Sequence, residues 1–276
     1  YQSLGEVVRA SDNYRQSLAI ARELNNRTNE GQILGRLGNV ALAQGEYPTA
    51  MELYQQSLAI AQETKYLYGQ AVMLERLGTA QLSQKNYPQA LEFYNQSLAI
   101  VQQIKNYSML RQLLKAIGEV YLNQGEVAQA QTYYQQNLTL AQQVKDPQGV
   151  SISLEDLADF YYKTSQFQKS LESAQQSLAL AEKLKDRKRV GAALRAVGTA
   201  YFALGNYEPA IATLQQGLTL AKTHGNQPLT VALLNNLGTV YRTIGNYDQA
   251  IAHTEASLAL ARKLKSRTLE QPPLGN

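Results

Sequence analysis

The sequence predicts an all-α fold, a solenoid of antiparallel helix pairs stacked one on the next. Three observations predict it. Residue types return every 40 positions along the whole chain, and a period of that size is the signature of a repeat array. Within each period apolar residues follow helical spacing and never alternate with period two. Glycine or proline punctuates most periods near the same turn.

The period is visible in single columns. Leu18, Leu58, Leu98, Leu138, Leu178, Leu218 and Leu258 form one; Gly38, Gly78, Gly118, Ala158, Gly198 and Gly238 a second; Ala10, Ala50, Ala90, Ala130, Ser170, Ala210 and Ala250 a third. In the unit 31–70, Ile33, Leu34, Leu37, Val40, Ala41 and Leu42 make the apolar face of a first helix. After Gln44-Gly45-Glu46, Ala50, Leu53, Tyr54, Leu58 and Ala61 make the face of a second. Gly45, Gly125, Gly205 and Gly245 stand where the first helix must end, in a role that suits a left-handed cap. Pro48, Pro88 and Pro209 follow, in the first turn of the second helix, where a missing N–H costs nothing. Most second helices end in a base, Lys65, Lys105, Lys145, Lys185, Lys222 or Lys265, expected to complement the helix dipole. Gly38 and Ala50 are spaced to let the two helices meet closely. Tyr14, Tyr54, Tyr94 and Tyr134 on the second helix, and Tyr47, Tyr87, Phe167, Tyr207 and Tyr247 at the turn, fill the space around that contact. Many of the 18 tyrosines thereby gain a packing role rather than a ligand role.

Taken in order, the chain reads as a partial unit 1–30, full units 31–70, 71–110, 111–150, 151–190, 191–230 and 231–270, and a partial unit 271–276. No linker or shift in composition divides the array 1–276. Tyr1-Gln2-Ser3-Leu4-Gly5 aligns with the end of a first helix at Gly245, and Leu274-Gly275-Asn276 with Leu34-Gly35-Arg36. The chain therefore reads as a fragment of a longer array, without polar capping units, its ends open to end-to-end self-association.

Leu-Gly followed by a tyrosine three residues on (Gly118 to Tyr121, Gly198 to Tyr201, Gly238 to Tyr241), then a small residue and an aromatic, resembles the tetratricopeptide repeat. The unit here is longer than the family's usual one, as in kinesin light chain and in bacterial regulatory arrays, including those fused to caspase-like protease domains. The resemblance implies a right-handed superhelix whose first helices line a concave groove for an extended peptide or a partner helix. Carried over column by column, it implies groove positions at Arg36 and Asn39, Arg76 and Thr79, Lys115 and Glu119. In the later units these are Glu155, Asp156, Asp159 and Tyr162, then Arg195 and Thr199, then Asn235, Asn236, Thr239 and Arg242. These columns change character between units while the packing columns do not. Arg36, Arg76 and Asn39 make a basic and amide end; Glu119, Glu155, Asp156 and Asp159 an acidic middle, with Lys115 and Lys163 beside it; Asn235, Asn236 and Thr239 a neutral amide end. The family's clamp for chaperone carboxylates needs Lys and Asn four apart; Lys115 is followed by Glu119, so the clamp is absent.

The unit 151–190 departs most. Ala158 replaces glycine, Ser170 alanine and Ala174 tyrosine, read either as a specialised contact for a basic or amphipathic segment or as compensated drift.

Composition bounds the chemistry. There is no cysteine, hence no disulfide and no thiolate metal site. His224 and His253 lack metal-ligand spacing, and no phosphate-loop or dinucleotide motif occurs. No catalytic, cofactor-binding or metal-binding residue is assigned, and no enzyme activity is expected. A net charge of +4 is too slight for a nucleic-acid face, so an RNA-binding repeat is disfavoured; the run Lys183 to Arg189 (KLKDRKR) reads as a solvated helix end. No apolar run is long enough to span a membrane, and a cytoplasmic location is expected. The function expected is partner recognition or scaffolding by protein or peptide binding, with a peptide-sensing module of a larger bacterial signalling protein as the alternative.

Overall fold

The computed structural model describes residues 2–270, and side chains from 9 to 264. The segment 271–276, read above as the start of another unit, and Tyr1 lie outside the described residues. Thirteen helices and no strand occur among the described residues. They are α1 (Gln2–Glu23), α2 (Arg27–Ala43), α3 (Tyr47–Glu63), α4 (Leu67–Ser83), α5 (Tyr87–Gln103), α6 (Tyr107–Asn123), α7 (Val127–Gln143), α8 (Pro147–Lys163), α9 (Phe167–Lys183), α10 (Arg187–Ala203), α11 (Tyr207–Thr223), α12 (Gln227–Thr243) and α13 (Tyr247–Glu270). The all-α helix-pair solenoid expected from the period is thus the fold.

The backbone repeats at half the sequence period. The helices from α2 to α12 are all of one length, 17 residues, and the turns between them are equally short. The middle residue of each turn lies in the left-handed region, at positions 25, 45, 65, 85, 105, 125, 145, 165, 185, 205, 225 and 245. Glycine fills five of these twelve positions, Gly45, Gly125, Gly205, Gly225 and Gly245; Asn25, Lys65, Lys85, Lys105, Lys145, Ser165 and Lys185 fill the rest, with φ between 52° and 59°. The lysines assigned above to the helix dipole are therefore cap residues in a strained conformation. Lys222 differs, standing in the last turn of α11. Each turn is closed twice, for example Gly45 N–H to Leu42 O and Glu46 N–H to Ala41 O.

Two elements depart from the expected boundaries. No turn forms at Gly5, because α1 runs from Gln2 without a break. None forms at Lys265, because α13 continues to Glu270. Neither segment has a following or preceding helix among the described residues to fold back on, and an uninterrupted helix gains one hydrogen bond per added residue.

Five first helices start with side-chain caps; α4, after Tyr66, starts without one. Asn26, Asn106, Asp146, Asp186 and Asn226 each accept from the N–H three residues on. Proline takes the first turn of α3 and α5 as expected, and also of α8 and α12.

The chain divides into two compact units, 1–133 and 134–276, each with its own core. In the first, α2 packs on α3, α3 on α4, α4 on α5, and the first helix α2 also meets the next first helix α4. Its core includes Ala41, Ala50, Tyr54 and Leu77, with Met73 and Phe93 against it. In the second, α10 meets α8, α9, α11 and α12, around Ala158, Leu171, Ala174 and Val197 and around Leu214, Leu233, Leu237 and Val240.

The small residues have a different partner from the one expected. A methyl at Gly38 would stand 2.5 Å from Cε1 of Tyr54, and one at Gly78 2.6 Å from Tyr94. At these two positions the glycine seats the tyrosine ring rather than Ala50 or Ala90. At Gly198 and Gly238 the facing side chains are Leu214 and Thr254, and a methyl would also stand 3.3 and 3.4 Å from the carbonyls of Ala210 and Ala250, the close approach expected. The tyrosine column is core, with Tyr54, Tyr94 and Tyr134 buried, and burial pushes the hydroxyls of Tyr54 and Tyr94 up to about 12. The turn column is not core: Tyr47, Tyr87, Phe167 and Tyr207 are half-buried and Tyr247 is 64% exposed.

A buried polar column went unread in the sequence. Ser57, Ser97, Ser177 and Ser257 each donate Oγ–H to a carbonyl near the start of the paired first helix, at Gly31, Ala71, Ser151 and Val231. Each bond ties the end of one helix to the start of its neighbour and satisfies a buried hydroxyl.

Candidate binding face of the first helices

Every groove residue expected from the sequence lies on a first helix, exposed or half-buried, beside columns that are fully buried. Arg36 and Asn39 are on α2, Arg76 and Thr79 on α4, Lys115 and Glu119 on α6. Glu155, Asp156, Asp159 and Tyr162 are on α8, Arg195 and Thr199 on α10, and Asn235, Asn236, Thr239 and Arg242 on α12. The helix period explains it: positions 35, 36 and 39 of a unit fall away from the stripe made by 34, 37, 38 and 41.

In the second unit of the molecule the structure brings six of them together. Glu155, Asp156, Asp159, Tyr162, Arg195 and Thr199 line a cavity of about 380 Å³, with Ala158, Ser170, Ala192 and Ala196 as its apolar and small-residue floor. In two earlier units a tyrosine of the second helix reaches the corresponding place: Tyr54 donates its hydroxyl to Asn39 Oδ1 at 2.8 Å, and the hydroxyls of Tyr94 and Thr79 are 3.1 Å apart; later units carry Leu214 and Thr254 there. Here the tyrosine is Ala174 and the facing glycine is Ala158, a paired exchange. Ser170 donates to Ala158 O at 2.8 Å. Of the three departures of the unit 151–190, Ala158 and Ser170 line the cavity, while Ala174 is fully buried against Ala158 in the core.

The charges around this cavity are largely met from within. Glu155 lies 3.6 Å from Arg189, and Asp159 lies 2.6 Å from Lys163. Burial raises the Glu155 carboxyl above the usual range despite Arg189. Arg195 adds a positive charge to the same wall. The acidic middle expected from the sequence is therefore a mixed surface.

Asn235, Thr239 and Arg242 line a second, wider cavity of about 530 Å³ with Tyr247, Ile251 and Thr254. Asn236 stands apart from it, donating from Nδ2 to Thr199 Oγ1 at 3.0 Å. In the first unit of the molecule, Arg36 and Asn39 border a slot of about 260 Å³ floored by Gly31, Gly35, Ile60 and Met73 and edged by Tyr66 and Tyr68. Gly35 opens it; Glu75, Lys115, Glu155, Arg195 and Asn235 occupy that column elsewhere. Tyr66, Tyr68 and Met73 were missed, and the lone glycine of a polar column was the available signal. Arg76 pairs with its neighbour Glu75 at 3.4 Å, and Lys115 with Glu119 at 4.0 Å. Among the described residues no cluster of His, Asp and Glu could hold a metal ion, and no helix is long and apolar enough to cross a membrane.

Helix pairs of this kind, with outward first-helix columns that change from unit to unit, define a repeat-array scaffold. The tetratricopeptide repeat profile matches residues 1–63, 31–103, 69–143, 109–183, 149–223 and 189–263. The chain belongs to the tetratricopeptide repeat family. Among solved structures it is similar to BtubC (BKLC) from P. vanneervenii, at 18% identity and a TM-score of 0.68 over 79% of this chain and 92% of that one. It is similar to the signal transduction ATPase with numerous domains and a tetratricopeptide repeat sensor from Pyrococcus horikoshii, at 19% identity and a TM-score of 0.68 over 98% of this chain but 45% of that one. It also resembles a Rap protein complexed with competence and sporulation factor, at 14% identity and a TM-score of 0.62 over 96% of this chain and 72% of that one. Among curated proteins none matches.

Proposed function

We propose that the chain is a non-catalytic interaction module that holds a peptide or partner helix against the outward face of its first helices. The observation that carries this reading is the cavity beside Ala158: six variable-column residues from two consecutive first helices line one space. Mixed charge on its walls suits an amphipathic segment, with an apolar side chain entering over Ala192 and Ala196 and polar groups meeting Asp159, Thr199 and Arg195. A cysteine-free chain suits a reducing, cytoplasmic setting.

A display library of random peptides panned on the chain tests this. Selected peptides are expected to lose affinity for Tyr162→Ala and Arg195→Glu, and to be retained by Lys169→Ala on the exposed side of α9. Peptides bound equally by all three variants would remove the first-helix face as the site. A second reading, a peptide sensor within a signalling protein, is favoured by the likeness to a sensor array and to a Rap protein complex. It adds a ligand-dependent change in small-angle scattering; confirmed binding with an unchanged profile would leave the scaffold reading alone.

A further inference from the structure

The basic run Lys183 to Arg189 falls outside the face just described. It occupies the turn between α9 and α10 and the first turn of α10. Beside it is a cavity of about 320 Å³ lined by Arg187, Lys188, Gly191, Leu220, Ala221, His224, Asn226 and Leu229. Its floor is apolar, and its rim is positive. Lys183, Lys185 and Lys222, on the adjoining stretches of chain, are exposed. Of the nearby acids, Asp186 is taken up by Arg189 at 3.1 Å, leaving Glu182 as the exposed carboxylate of that turn.

The repeat supplies an internal comparison. Arg27 holds the same place on α2 that Arg187 holds on α10, four sequence periods later. Arg27 sits between two carboxylates: Nη1 donates to Glu30, while Nε and Nη2 donate to Glu63. Arg22 donates to Glu30 as well, at 2.9 Å. The residues equivalent to Glu30 and Glu63 beside Arg187 are Val190 and Thr223. The base has been kept and both acids are gone. Among the described residues neither Arg187 nor Lys188 has an ion-pair partner. The fold does not ask for cations there, since positive charge in a helix's first turn opposes the dipole.

We infer that this edge pocket of α10, α11 and α12 is a docking site for an acidic peptide segment, whose carboxylates take the places that Glu30 and Glu63 take around Arg27. An apolar side chain next to those carboxylates enters the cavity over Leu220 and Leu229. Arg187 provides the planar fork that a carboxylate matches, and Lys188 a second point charge. The inference is independent of the first-helix face, which lies on other residues.

A fluorescein-labelled peptide EELEE, followed by anisotropy against the whole chain, tests it. The expected result is saturable binding that weakens as KCl rises from about 50 to about 300 mM. The decisive variant is Val190→Glu with Thr223→Glu and Glu182→Arg, which rebuilds the internal clamp together with the base that Arg22 supplies to Glu30. It should bind the peptide about tenfold or more weakly and melt no lower than the parent. Arg187→Gln with Lys188→Gln should lose binding in the same way, and serves if the clamp variant fails to fold. No binding by the parent, or equal binding by the variants, would overturn the proposal. Equal binding of KKLKK, or full displacement by inorganic phosphate or an oligonucleotide at concentrations matched to the peptide, would also overturn it, assigning the pocket to unselective charge or to another class of anion.

Discussion

Replacing the left-handed lysines by glycine should stabilise the array. Lys65, Lys105, Lys145 and Lys185 have φ of 54°, 52°, 55° and 56°. A side chain in that region crowds its own backbone at a cost of roughly 1–2 kcal/mol. Glycine removes the crowding but gives the unfolded chain more freedom, worth about 0.4–1 kcal/mol in the opposite direction. The net gain is about 0.5–1 kcal/mol per turn. The four turns stand in separate repeat units and share no partners, so their effects should add. Together they should raise stability by about 2–4 kcal/mol. Melting followed by far-UV circular dichroism reads the change, at about 2–4 °C per kcal/mol for a chain of this size. Gly45→Ala is the reverse experiment. Gly45 has φ 78°, and a methyl there would meet nothing within 4 Å, so the loss of about 1 kcal/mol is conformational alone. If the quadruple variant melts lower than the parent, or if Gly45→Ala is neutral, backbone strain does not limit these turns.

Three further outcomes follow from particular contacts. Ala174→Tyr should be strongly destabilising alone, because the ring would meet the methyl of Ala158, and Ala158→Gly in the same chain should restore it; a double-mutant cycle should give a coupling of about 1 kcal/mol or more, and additivity would deny the paired exchange. The double variant should also fill the cavity beside Asp159 and remove peptides selected on the first-helix face. Glu30→Gln should lower the melting temperature at neutral pH. The Arg22 and Arg27 guanidiniums hold the Glu30 carboxyl below its usual 4.5, so its contribution is present above that value and is lost as pH falls through the depressed one; parent and variant melts should converge in acid. Glu155→Gln should behave oppositely. Burial raises the Glu155 carboxyl above 4.5, so the charge costs stability, and the cost is absent below 4.5 and grows as pH rises through the raised value. The variant should match the parent in acid and melt higher at neutral pH, as measured by thermal scans across that range; a lower melt at neutral pH would mean that the Arg189 pair outweighs burial.

The helix-pair array was legible because its cause is periodic. Leu37, Gly38 and Ala41 recur at one phase of a 3.6-residue helix, and no strand can satisfy that spacing. The halved period of the backbone was not, because Gly45 and Lys65 occupy the same left-handed conformation with different side chains. Only glycine advertises that conformation; a lysine there looks like an ordinary charged turn. The partner of Gly38 was misassigned for a related reason. Sequence spacing places Gly38 and Ala50 at similar heights, but a tyrosine side chain points back along its helix. The ring of Tyr54, one helical turn beyond Ala50, therefore reaches the glycine.

Charge was the least legible property, because the sequence shows residues one at a time and electrostatics depends on pairs. Glu155, Asp156 and Asp159 look like an acidic surface in the chain, yet Arg189 and Lys163 meet two of them. Arg27 and Arg187 look equivalent in the chain, yet one lies between two carboxylates, and at the equivalent positions the other unit carries Val190 and Thr223. A repeat array makes such differences interpretable. The backbone around the two positions is the same, so a clamp formed at one and missing at the other reflects the side chains and not the fold. Where a unit keeps a charge and drops its internal partners, the fold gains nothing from keeping it; an external carboxylate restores what Glu30 and Glu63 provide. The clamp variant is the sharpest discriminator for that reason. With Glu182→Arg included, it returns to α9, α10 and α11 an arrangement that α1, α2 and α3 already hold, so a loss of peptide binding there comes from competition for Arg187 and not from damage to the fold.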